Sequence, residues 1–194
     1  MLWAILLYPI QVLKYKKWHL KSHIVNPLKI TPGYIEVGNN VVVLSYARIE
    51  GVSQYNKISY TPNIVLHDGV TVQQGLHLTC ANHIEIGENT AIAANVTITD
   101  IHHPYKDIKL PIEQQDLEVS EVTIGRDCKI YNGAVVLPGV HIGDHVTVGA
   151  NAVVNRNIPD YCVAVGSPAR IIKRYNANTK KWEKTDKQGN FIEQ

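Results

Sequence analysis

Two adjacent histidines, His102 and His103, precede Pro104 near the head of a polar stretch, TDIHHPYKDIKLPIEQQDLEVSEV, that runs from Thr99 to Val122. Imidazole has an ordinary pKa close to neutrality, so it is the usual group for taking a proton from a weak nucleophile such as a hydroxyl. Asp100, just upstream, is positioned in sequence to orient either ring. His67, His77 and His83 come earlier, and a basic run, GSPARIIKR, carries Arg170, Lys173 and Arg174 far downstream. Guanidinium and ammonium groups in such a cluster complement phosphate charge.

The elements that must position these residues are set by a repeat. Aliphatic residues recur at every sixth position in five triplets: Val37, Val43, Ile49; Leu66, Val72, Leu78; Ile86, Ile92, Ile98; Ile124, Ile130, Val136; and Ile142, Val148, Val154. The residue two before each is usually apolar or small, as at Ile84, Val96 and Val140, so a period of two sits inside the period of six. That pattern reads as short strands. Gly and Asn fall at the corners, where turns need positive φ. Three units close one triangular turn, which predicts an all-β, parallel β-helix of about five coils stacked roughly 4.8 Å apart. Between triplets the chain adds 11, 2, 20 and 0 residues, always after a third unit, so every insertion leaves the prism at one edge. The His-bearing stretch is the longest of them.

This repeat resembles the hexapeptide-repeat acyltransferases, over roughly residues 35 to 172 and most specifically in the second half. The resemblance implies a left-handed helix and a homotrimer. VTITDIHHPY, followed by IGRDCKIYNGAVVLPGVHIGDHVTVGANAVVNRNIPDYCVAVGSPARII, is similar to the sugar and polysaccharide O-acetyltransferase branch. It implies that acetyl-CoA is the co-substrate and that His103 is the base, with His102 in reserve. Asn132, Ala150, Asn155 and Arg156 then fall where relatives contact the cofactor, and so do Pro168, Ala169, Arg170 and Lys173. His77, His83 and Tyr105 are the candidates for the acceptor pocket. Two departures leave the acceptor open: CKIY stands at Cys128 to Tyr131 where relatives commonly read VWIG, and His77 stands where many have Asn.

The remaining features bound the function. With 45% hydrophobic and 19% charged residues and a net charge of +2, the 194-residue chain is globular and has no field for nucleic acid. Cys80, Cys128 and Cys162 lack CxxC spacing, which fits a reducing cytoplasm and argues against a disulfide framework or zinc knuckle. No metal is expected. The apolar start, MLWAILLYPIQVL, stops near thirteen residues and is followed by KYKKWHLK, too short a run to span a bilayer. Residues 1–22 therefore read either as a segment at the inner face of the cytoplasmic membrane or as a helix packed on the protein or a sister subunit. The expected organisation is an N-terminal segment, 1–30, with a short helix; a β-helix domain, 31–175, with its loop at 100–121; and a polar tail, 176–194. In the tail, Trp182 and Phe191 flank a turn-like DKQGN, which reads either as a small hairpin over the last coil or as loose chain.

Other readings stay open at this point. An N-acetyltransferase for an amino sugar and a xenobiotic acetyltransferase share the scaffold. A β-helix of the zinc carbonic anhydrase type would use His67 and His102, but adjacent histidines seldom point at one ion from an extended chain. A scaffold without catalysis is the last.

Overall fold

The computed structural model describes residues 13–19, 21–186 and 189–192. Short strands stack into three parallel sheets, which form the faces of a triangular prism. The first face holds Ile35–Val37, Asn63–Leu66, His83–Ile86, Val122–Ile124 and His141–Ile142. The second holds Val42–Val43, Thr71–Val72, Ala91–Ile92, Lys129–Ile130, Thr147–Val148 and Cys162–Val165, and the third Arg48–Gly51, His77–Cys80, Thr97–Thr99, Val135–Val136 and Val153–Val154.

The period of six explains the register. Val37, Leu66, Ile86, Ile124 and Ile142 pair in one column, and each of the other two faces repeats the arrangement with its own five aliphatics. All are buried, so the interior is three aliphatic ladders that meet along the prism axis. Burying one such side chain contributes about 1.5–3 kcal/mol, so the stack needs no separate hydrophobic centre.

Corners carry the backbone constraints. Where the first face turns into the second, Asn40, Gly69, Asn89, Asp127, His145 and Tyr161 occupy equivalent positions, with φ between 55° and 72°. A left-handed conformation suits Asn and Gly and is costly for bulky residues. Just before that corner, a Cβ on Gly87 would lie 2.6 Å from the Gly125 carbonyl carbon of the next coil. The coils approach too closely there for any side chain.

Two differences from the sequence reading stand out. The stack is longer than five coils, because Lys17–Trp18, His23–Ile24 and Lys29–Ile30 pair in parallel ahead of the first triplet. Trp18, Ile24 and Ile30 keep the spacing of six, hidden by their Lys and His neighbours. Residues 17–19 and 21–30 are thus coil, and among the described residues there is no α-helix. The expected N-terminal helix and the first twelve residues of any membrane contact lie outside the described residues. The tail is also more ordered than its polarity indicated. Arg170–Asn176 and Lys181–Lys184 continue the second face as an antiparallel hairpin, and Thr185 bridges Phe191.

The insertions leave where the spacing places them, between the third face and the first. The one at 52–62 contains a small hairpin, Gln54–Tyr55 with Ile58–Ser59. The longest pairs Ile101–His102 with Glu118–Val119 and carries a 3-10 turn at Ile112–Gln114. They brace each other: the Tyr60 hydroxyl accepts the Leu117 amide at 3.0 Å, and the Tyr55 hydroxyl donates to the Glu113 carboxylate at 2.8 Å.

Candidate active site

A cavity of about 460 Å³ opens between the third face and these insertions. Arg48, His77, Thr79, Thr97 and Thr99 project into it from the strands, and Val52, Tyr55, Ile101, His103 and Leu117 close it from the insertions. The strand residues are outward positions in register: His77 pairs with Arg48 on one side and Thr97 on the other, and Thr79 pairs with Thr99. The structure therefore brings His77 and His103 together, although they come from different coils.

His103 lies edge-on to the Tyr55 ring, with centroids 5.4 Å apart. Its Nδ1 is 4.0 Å from Glu113 Oε1, while the other oxygen of that carboxylate accepts the hydrogen bond from the Tyr55 hydroxyl. Glu113 is thus the acid beside the ring. The expected orienting role of Asp100 does not fit the geometry. Asp100 is fully buried, and its carboxylate accepts the backbone amides of Ala81, Asn82 and His83 at 2.7–2.9 Å. It also accepts the Cys80 thiol at 3.3 Å, and burial together with this charge pushes that thiol's pKa up. Asp100 holds the short insertion at 81–82 to the stack.

His102 points elsewhere, as alternation along an extended segment requires. Its ring meets Tyr105, which is exposed, and neither lines the cavity. His83 is also apart, on the first face, where it contacts Asn63 and Glu85. His67 shares Glu85 at 2.6 Å on that face, remote from His102. Of the acceptor candidates, only His77 lies in the cavity.

The electrostatics there are close to neutral. Arg48 donates to Glu50 through Nε at 2.7 Å and through Nη2, and Lys29 reaches the same carboxylate at 2.5 Å. Burial alone would raise Glu50; the bonds from Lys29 and Arg48 outweigh it and hold the acid below its ordinary range. His77 is lowered, by burial first and then by Arg48, which favours neutral imidazole.

A second cavity, of about 470 Å³, lies at the C-terminal end of the third face. Arg156, Ala169 and Arg170 line it with Asn157, Ile158, Ala164 and Ile171. Its floor joins the third face directly, since the Ala169 amide donates to Val153 O at 2.8 Å. The other cofactor candidates border this end without entering the cavity. Asn132 and Ala150 stand on the corner between the second and third faces, Asn155 just follows the last third-face strand, and Pro168 is exposed. Lys173 lies elsewhere, on the second face opposite Lys184.

Arg48, Thr79, Thr97 and Thr99 were missed in the sequence, yet they carry a signal: each is an outward strand position next to His77 or its register partners. Tyr55 and Glu113 carry none, because their contact arises between two insertions with no repeat.

Residues 121–156 match the family described as bacterial transferase hexapeptide (six repeats). The chain is 41% identical over 128 residues to an Escherichia coli protein provisionally named lipopolysaccharide biosynthesis O-acetyl transferase WbbJ, covering 62% of this chain and 65% of that one. It is 34% identical to the galactoside O-acetyltransferase of E. coli over 63% of this chain and 59% of the relative. It thus spans less than two thirds of either relative. AntD, an N-acyltransferase from Bacillus cereus solved with dTDP and 3-hydroxybutyryl-CoA, superposes with a TM-score of 0.67 at 18% identity, over 89% of both chains. The shared coil is the left-handed parallel β-helix, and over residues 121–156 the chain is similar to the hexapeptide-repeat transferases.

Proposed function

We propose that this protein is an acetyl-CoA-dependent O-acetyltransferase acting on a hydroxyl of a sugar or cell-surface polysaccharide precursor. The observation that carries the reading is that His103 and His77 meet in one cavity on the third face, with the Arg156–Arg170 cavity beyond the last strand of that face. The two cavities are about four coil spacings apart, roughly 19 Å at the strand separation of a sheet. An extended pantetheine arm spans such a distance, with its phosphates at the arginines and its thioester at the histidine.

In this reading His103 takes the proton of the acceptor hydroxyl, whose oxygen attacks the thioester carbonyl carbon. The tetrahedral intermediate then collapses, the carbon–sulfur bond breaks, and the imidazolium returns the proton to the departing CoA thiolate. Glu113, held by Tyr55, lies beside the ring and orients it. His77 and the hydroxyls of Thr79, Thr97 and Thr99 bind the acceptor, and the Arg48–Glu50 pair leaves the pocket neutral enough for an uncharged sugar. The names of WbbJ and of the galactoside enzyme support a saccharide acceptor. The dTDP bound to AntD supports one carried on a nucleotide.

The working unit is proposed to be a homotrimer in which a neighbouring prism completes the cofactor groove. Its place is the cytoplasm, at the inner membrane face if residues 1–22 reach lipid. No helix among the described residues is long and apolar enough to cross a membrane.

Mass spectrometry of free, nucleotide-linked and lipid-linked saccharides incubated with acetyl-CoA tests the proposal. An added acetyl group removed by mild alkali is the expected product. An alkali-stable amide would mean an amino-sugar acceptor, and no product with no thiol release would overturn the reading.

A further inference from the structure

A cleft of about 490 Å³, with no lining residue in common with either cavity, lies where the first face turns into the second near the C-terminal end. It is lined by His145, Tyr161, Tyr175, Ala177 and Trp182. Tyr175 and Trp182 face each other across the C-terminal hairpin, with centroids 5.9 Å apart. Tyr161 is 6.2 Å from Tyr175, and His145 is 6.3 Å from Trp182. The rings are not sealed into the fold: Tyr161 is 46% and Trp182 42% exposed.

The backbone beneath them is unusual. His145 and Tyr161 occupy the last two places of the corner column, at φ of 55° and 56°. The four earlier places hold Asn40, Gly69, Asn89 and Asp127, residues that take this conformation readily. Only at the end of the column does the chain place large rings where it strains them, and strain of this kind collects where a ligand is held. Docking of the hairpin accounts for it poorly, because the rings leave a cleft open between them.

We propose that this cleft is a second saccharide-binding site, which holds sugar units of a chain away from the His103 cavity. A pyranose presents a face of C–H bonds, polarised by neighbouring oxygens, that complements the negative face of an aromatic ring. Tilts of 51° between Tyr161 and Tyr175 and 64° between Tyr175 and Trp182 suit a puckered ring. They do not form the parallel slot that a flat nucleobase fills, and the most nearly parallel pair, His145 and Trp182 at 27°, already face each other. That the bound chain extends the acceptor rests on the proposed function; binding itself does not.

The test uses full-length protein, with maltohexaose, cellohexaose and chitohexaose as probes and ADP as the control. Tyr161→Asn restores the residue type of the column, so it should melt no lower than wild type while binding the preferred hexasaccharide roughly 3- to 10-fold more weakly. Trp182→Ala should weaken binding in the same direction. Acetylation of a single sugar should be unchanged in Tyr161→Asn, with KM raised only for the long acceptor. A lower melting temperature with unaltered hexasaccharide binding would show that the rings only pack the hairpin. Binding of ADP but of no hexasaccharide, or no binding by wild type at all, would also overturn the proposal. If wild type acetylates no saccharide, the proposed function fails, and the titration still decides the cleft.

Discussion

Asp100 and His103 stand three positions apart, at the boundary between the regular stack and the long insertion, and the two regions use their side chains in opposite ways. In the stack, polar groups are taken up by the backbone: Asp100 accepts the two amides of the preceding insertion and that of His83, which follows it. In the insertion, His103 has no such duty and turns its ring into a cavity beside Tyr55 and Glu113. A β-helix fixes its own residues by repetition, so reactive groups collect at the edge where repetition is suspended.

Removing the insertion should give the largest effect. Joining Asp100 to Glu121 through two glycines mimics the two-residue crossing at 81–82. Thiol release from acetyl-CoA with a saccharide acceptor should then fall at least about 100-fold, while the melting temperature stays within about 4 °C. Collapse of the fold would mean that the insertion supports the stack. Asp100→Ala should do the reverse. It leaves three amide donors without their acceptor, at about 1 kcal/mol or more each, so urea denaturation should show a loss of about 3 kcal/mol. A variant of normal stability that lost turnover would return Asp100 to the catalytic group.

Smaller effects refine the boundary. Glu113→Gln should lower kcat roughly two- to fivefold, the worth of a largely exposed charge partner, with no change in melting. An unchanged kcat would remove Glu113 from the mechanism. The smallest effect lies on the first face. Glu85 is held below its ordinary pKa chiefly by the hydrogen bond from His67, against some burial, with a further bond from His83. The unfolded chain then binds the proton more readily than the folded one, so the stabilisation is complete above the ordinary Glu range and is lost as pH falls through the lowered value. Glu85→Gln should flatten the acid side of the stability profile and leave turnover unchanged. A drop in turnover would bring His83 back into the acceptor site.

What could be read from sequence follows the same boundary. The five aliphatic triplets determine faces, register and the edge of every insertion, because a period of six leaves one arrangement that buries all three ladders. Trp18, Ile24 and Ile30 obey it too and escaped notice only among Lys and His neighbours. Inside the insertions no period operates, so neither the bracing of Tyr55 by Glu113 nor the burial of Asp100 could be foreseen. His77 was legible as a candidate, and its register partners Arg48 and Thr97 were legible in principle. The convergence of His77 with His103 needed the coil geometry.

The central claim is that His103 is the base. Steady-state thiol release with acetyl-CoA and an acetylated saccharide identified by mass spectrometry should fall about 10²- to 10⁴-fold in His103→Ala, with melting temperature and oligomeric state unchanged. Turnover close to wild type in that variant would contradict it.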